Sequence, residues 1–166
     1  MLIHFLGATR TTTGSMYLMK INGKRLLLEC GLFQGHREES IKRNCCFPFD
    51  PKQIDAMVLS HAHMDHAGNL PNLVKQGYNG NIHCTFATRD LCSIMLVDSA
   101  HIQMDDAMFV SKQRAKKNLP PVEPLYTIAD AEKTLHQFVA VGYDRPFQVV
   151  DGVTVTYRDA GHILGA

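Results

Sequence analysis

The run Ser60-His61-Ala62-His63-Met64-Asp65-His66-Ala67-Gly68 constrains this chain more than any other stretch. It puts three imidazoles and one carboxylate within six residues, directly after the apolar segment Ile54 to Leu59. Neutral imidazole and carboxylate are the usual ligands of zinc in catalytic sites. The spacing says more than the count. In extended chain, residues two apart point to the same side, so His61 and His63 can grip one ion together. Helical neighbours stand three or four apart, and the helical H-E-x-x-H zinc motif needs four. Asp65 and His66 are adjacent and fit a second ion better than the first. The rival account is a polar turn rich in histidine, since the chain has 9 histidines in 166 residues. Placement where a strand ends and a helix begins, the usual location of α/β sites, favours the metal reading.

A chain of this length supports one core. Its composition, 45% hydrophobic and 20% charged, is that of a globular domain. The net charge of +1 gives no global argument for nucleic acid or a membrane. There is no apolar run of membrane length and no charged-then-apolar leader. Five cysteines, odd in number and without a C-x-x-C pair, read as free thiols of a cytoplasmic protein.

Strands are expected at Leu2–Gly7, Met16–Ile21 and Arg25–Cys30, the last two joined by an Asn22-Gly23 hairpin turn. Arg25–Cys30 is nearly all apolar, as for a strand buried on both faces. Glu29 at its end is costly to bury without a partner, and it reads as a carboxylate that orients a metal-binding histidine. The alternative is a strand end that reaches solvent. His36–Asn44 reads as a short helix or irregular segment. A helix is expected over Ala67–Gly77 and a strand over Ile82–Phe86, with His83 alternating outward as a surface residue. The longest helical pattern runs from Ala87 to about Lys117. On it His101 and Asp105 stand four apart and could share a metal, but a solvated face is the preferred account. Lys112–Lys117 reads as a solvated basic helix end. After the extended Asn118–Pro124, Thr127 caps a helix with Asp130 in the capping-box position, running to about Val139. Pro146–Val150 and Val153–Tyr157 form a hairpin about Asp151-Gly152. His162 follows between glycines at a strand end, placed to complete His61 and His63 as a three-histidine site with an open position. The element pattern predicts a layered α/β domain.

The cluster His61-Ala62-His63-Met64-Asp65-His66 resembles the H-x-H-x-D-H signature of the metallo-β-lactamase superfamily. Phe5–Ala8 with Thr13–Ser15, Cys30–Gly35, His66–Pro71 and Asp159–Ala166 together resemble its β-CASP branch of RNA-processing nucleases. These are relatives of the cleavage and polyadenylation endonuclease and of ribonuclease J. The resemblance spans the chain. It implies an αββα sandwich with metals at the edge of the two sheets. It also implies zinc on His61, His63 and His162, and a second zinc on Asp65 and His66. Glu29 and Asp65 are the residues expected to serve the chemistry. The implied activity is hydrolysis of single-stranded RNA by a metal-activated hydroxide, in mRNA processing or decay.

Two departures stand out. Glu29 occupies a position where the family usually has Asp. The chain also reads as the N-terminal part of the domain, cut before the bridging Asp, the β-CASP insertion and further histidines, which leaves the second zinc site incomplete. A homodimer or another chain is one source of the missing ligands. The competing functions are a thioester or lactone hydrolase on the same site and a non-catalytic zinc-binding fragment.

Overall fold

A computed structural model describes all residues, 1–166. Six strands form one sheet in the order β1-β2-β3-β4-β5-β6: β1 Leu2–Phe5, β2 Tyr17–Ile21, β3 Lys24–Leu28, β4 Ala56–Val58, β5 Ile82–Thr85 and β6 Phe138–Val141. The first three are antiparallel, and β3 to β6 run parallel. The β2–β3 turn has Asn22 and Gly23 at φ 51° and 76°. Left-handed conformation at both central residues is what a two-residue hairpin of this twist requires, and it sets the register Ile21 opposite Lys24.

Helices cover one face of the sheet: α1 Arg37–Asn44, α2 Met64–Ala67, α3 Leu70–Lys75, α4 Phe86–Ala115 and α5 Ile128–Leu135. On that side Leu18, Leu27, Met57 and Ile82 pack with Leu70, Leu73, Leu96 and Tyr126. The other face carries Leu26, Ala56 and Val58, which pack with Val149 and Tyr157 around a second, two-stranded sheet, β7 Phe147–Val150 and β8 Val153–Val155. The fold is therefore layered α/β, with β3 and β4 apolar on both faces because both are covered. Glu29, Ser60 and the α4 N-cap Thr85 all lie at or just after the carboxyl ends of the parallel strands β3, β4 and β5, which is where α/β sheets place sites.

Several expectations are corrected. The helix capped by Thr127 has its capping box with Asp130 but stops at Leu135, not near Val139. Phe138–Val141 is instead the edge strand β6, paired with β5 from Ile82–Phe138 to Thr85–Val141. A short apolar run has no period that separates strand from helix, and here the open edge of β5 decides. The helix expected over Ala67–Gly77 is broken into α2 and α3 at Gly68-Asn69, where Asn69 leaves helical geometry (ψ 4°). His83 is not a surface residue: it is 7% exposed, its ring against Phe147. The hairpin β7–β8 covers it, a layer that alternation within β5 does not reveal. Helix α4 buries a narrow stripe of Thr88, Cys92, Leu96, Ala100 and Ala107, while Ile102 and Met108 face outward. His101 and Asp105 are exposed on the same helix. No helix is long and apolar enough to cross a membrane.

Candidate metal centre

Strand β4 ends at Val58, and Ser60 to His63 continue in extended chain before α2 begins at Met64. This short extended stretch sends His61 and His63 to one side, as alternate spacing demands. His162 arrives from the far end of the chain. Its loop is tied down where Thr85 Oγ1 and Thr88 Oγ1 both donate to the carbonyl of Gly165, at 2.7 and 3.1 Å. Gly161 N–H donates to Asp159 Oδ1, closing the turn that presents the imidazole. The three rings converge: His63 Nδ1 lies 3.1 Å from His61 Nε2 and 3.2 Å from His162 Nε2.

These separations suit a small tetrahedral cation. With metal–nitrogen bonds of about 2.0–2.1 Å, a tetrahedron has nitrogen–nitrogen edges of about 3.3–3.4 Å. Three lone pairs aimed at one point repel unless something positive sits between them. Ser60 Oγ is 2.8 Å from His61 Nδ1, and with that nitrogen donating its proton to the hydroxyl, Nε2 is free to ligate.

Glu29 is buried (4% exposed) and sits at φ 62°, a left-handed conformation unusual for a non-glycine residue. One carboxylate oxygen accepts from Ser60 N–H at 2.9 Å, and the other lies 3.1 Å from His66 Nδ1. The carboxylate thus fixes both the segment bearing His61 and the ring of His66. Asp65 Oδ2 stands 3.5 Å from His66 Nε2. Glu29, His61 and His66 make a second cluster of potential ligand atoms beside the first, and Asp65 lies outside both tight clusters. Nothing in the local sequence marks the contacts made by Ser60 and Thr88. Only Thr85 carries a local signal, as the cap of α4.

The electrostatics follow from this crowding. Burial, then the neighbouring His66, His63 and His162, push the His61 imidazole down from 6.5 to about 4. It is therefore neutral at pH 7, as a ligand must be. His66 is raised, chiefly by its hydrogen bond to Glu29. His83 is lowered by burial. The two directions set opposite pH slopes for the metal-free chain. A raised His66 adds stability that is full below 6.5 and lost as pH climbs through its folded value. Depressed His61 and His83 cost stability as pH falls from 6.5, down to about 4 for His61. Melting temperature without metal, followed from pH 8 to 4.5, is thus expected to pass through a maximum near the ordinary histidine value. A monotonic rise toward acid would contradict these assignments.

The sequence profile of the Metallo-beta-lactamase superfamily matches residues 9–141. Ribonuclease TTHA0252 of Thermus thermophilus is 35% identical over 165 residues, covering 96% of this chain and 32% of its own. Integrator complex subunit 11 of Danio rerio is 32% identical over 97% of this chain and 26% of its own. Transcription termination factor FttA of Methanosarcina mazei is 30% identical over 97% and 23%. The chain thus spans between about a quarter and a third of the length of these relatives. Among solved structures, a metallo-beta-lactamase of Cronobacter sakazakii superposes with a TM-score of 0.55 at 17% identity, over 99% of this chain and 49% of that one. At that identity the likeness speaks for the fold. The profile runs through the histidine run and its supporting strands, and by that match this chain belongs to the metallo-beta-lactamase superfamily.

Proposed function

We propose that this chain carries the catalytic centre of a zinc-dependent hydrolase of RNA phosphodiesters, on the β-CASP pattern. The observation that carries this reading is the convergence of His61 Nε2, His63 Nδ1 and His162 Nε2 on one point. The RNA assignment is supported by the relatives, which include a ribonuclease and a cleavage and polyadenylation specificity factor subunit, 3-II of Arabidopsis thaliana. His61, His63 and His162 would hold one ion, and Asp65 and His66 contribute to a second. Zinc bound there supplies Lewis acidity, lowering the pKa of water toward neutrality and offsetting charge that develops on a phosphate.

The protein groups do the rest. Ser60 Oγ, accepting from His61 Nδ1, would leave Nε2 of that ring free to ligate. Glu29 holds the proton of His66 at Nδ1 and so turns Nε2 toward Asp65. Asp65, partly exposed beside the cluster, would accept the proton of an attacking water. Single-stranded RNA is the substrate form this reading takes, since its unpaired strand leaves the backbone free to bend toward the metal site.

The test is cleavage of an end-labelled single-stranded RNA by purified protein, with zinc and after chelation. Expected are RNA fragments whose formation a chelator stops and zinc restores. Turnover of a thioester or lactone with RNA untouched would replace this reading with small-molecule hydrolysis. Zinc bound without turnover of either would leave a non-catalytic zinc-binding module.

Glu29→Gln probes the supporting carboxylate. Glu29 accepts from two donors at once, and an amide offers one acceptor oxygen while its NH2 opposes the other donor. Zinc affinity is expected to drop roughly 10–100-fold, the usual cost of losing such a partner. Competition against a chelating dye measures it, and unchanged affinity would remove Glu29 from the site.

A further inference from the structure

Cys30, Cys84 and Cys92 are buried, whereas Cys45 is half-exposed and Cys46 exposed. The two adjacent sulfurs lie 3.0 Å apart. Their segment is held on both sides. Asn44 bridges Phe33, accepting its N–H at 2.8 Å and donating to its carbonyl at 2.9 Å. The Asn44 carbonyl accepts from the side chains of Asn69 and Asn72, and the Cys45 carbonyl accepts from Gln76 Nε2 at 2.8 Å. The rings of Phe47 and Phe49 pack 5.4 Å apart just beyond. The pair is therefore a pre-set dithiol and not two loose side chains.

Two chemistries compete for such a pair. A disulfide between neighbours is strained, because consecutive Cα atoms stand about 3.8 Å apart and an unstrained bridge needs at least about 4.4 Å. A soft atom inserted between the sulfurs removes that strain. At about 2.3 Å from each sulfur, it lets them stay well beyond bonding distance of one another. The hydrogen bond between the thiols also raises Cys45 above its ordinary pKa, leaving less of the thiolate that would attack a peroxide.

We propose that Cys45 and Cys46 form a chelating site for a soft, thiophilic centre, a trivalent metalloid or soft metal ion bound through both sulfurs. The site is separate from the histidine cluster and takes a different ligand class, since soft thiolates select soft ions. Phenylarsine oxide is the probe, because it reacts with paired thiols and leaves imidazole alone. Two arsenic–sulfur bonds form, the arsenic–oxygen bond breaks, and both thiol protons leave with the oxygen as water. Arsenic stays trivalent and nothing is oxidised.

The experiment treats the reduced, folded protein with phenylarsine oxide, alkylates free thiols, and examines the tryptic peptide Asn44–Lys52, whose two cysteines are Cys45 and Cys46. Expected is one arsenic on that peptide, both cysteines protected, and release by a dithiol but not by an equal concentration of a monothiol. Preorganisation should make the folded chain bind at least roughly tenfold tighter than the free synthetic nonapeptide. Cys46→Ser, a change at an exposed position, should lose dithiol-selective binding while its circular dichroism is unchanged. Double alkylation despite the arsenical, release by monothiol, retention in Cys46→Ser, or equal affinity for the free peptide would each overturn the proposal.

Discussion

His63→Ala is expected to abolish zinc binding at the three-imidazole cluster and, with it, RNA hydrolysis, while the metal-free chain keeps its fold. His63 Nδ1 is the atom common to both short separations, 3.1 Å to His61 and 3.2 Å to His162. Without it, only the two imidazoles of His61 and His162 remain to hold the ion. Three protein ligands plus one open position is the minimum that catalytic zinc sites use. The affinity loss should therefore exceed the roughly 10–100-fold that a supporting partner costs. The fold should survive because His63 is only half-buried and packs against other imidazoles, not in the apolar core. Metal content by mass spectrometry and cleavage of labelled RNA read the two effects separately. RNA cleavage unchanged in this variant would end the metal-hydrolase reading.

Gly31→Ala should be the most damaging single-methyl change near the site. A Cβ there would lie 1.6 Å from the carbonyl oxygen of Asp65, 2.1 Å from its carbon and 2.7 Å from His66 N. All three are backbone atoms and cannot rotate aside. Relief requires α2 to move away from the β3 loop. That movement breaks the bonds that tie α2 to the β3 loop, Cys30 N–H to His66 O and Leu32 N–H to Met64 O, and the one that ties it to the segment before β2, Ser15 N–H to Asp65 O, all 2.8–2.9 Å. Overpacking typically costs 1–3 kcal/mol, and each buried backbone group left unpaired adds a similar amount, so a loss of about 3–5 kcal/mol is expected. Ligand placement tolerates about half an ångström, so zinc affinity should fall as well. Gly23→Ala is the control. No atom lies within 4 Å of its added Cβ, and only the φ of +76° penalises it, by about 1–2 kcal/mol. Urea denaturation of the metal-free proteins compares them, and equal losses would refute the packing argument.

Much of the fold was legible in local pattern. The β2–β3 turn could be read from Asn22-Gly23 because only residues that accept left-handed φ make that turn. The start of α5 could be read from Thr127 and Asp130, whose side chains satisfy the helix's own free N–H groups. Its end could not. Phe138–Val141 became a strand because β5 left an unpaired edge beside it, and a partner in space is absent from a linear period. The burial of His83 is hidden from local pattern for a related reason. Alternation tells which side a residue faces, not whether that side is covered, and β7–β8 covers it.

The site divides along the same line. By itself the sequence determined that His61 and His63 point to one side and that Asp65 and His66 lie beside them, since covalent spacing in extended chain leaves little choice. The sequence also offered His162 and Glu29 as candidates, but only tertiary structure decided how they meet the cluster. It carried His162 across 99 residues to His63, with Thr85 and Thr88 holding the Gly165 carbonyl. It also gave the longer Glu29 side chain a left-handed backbone from which its two oxygens meet Ser60 and His66. Local spacing fixes neighbours within a few residues. Which distant side chains meet depends on strand order, on what covers each face, and on the few loop contacts that can close only once the sheet has formed.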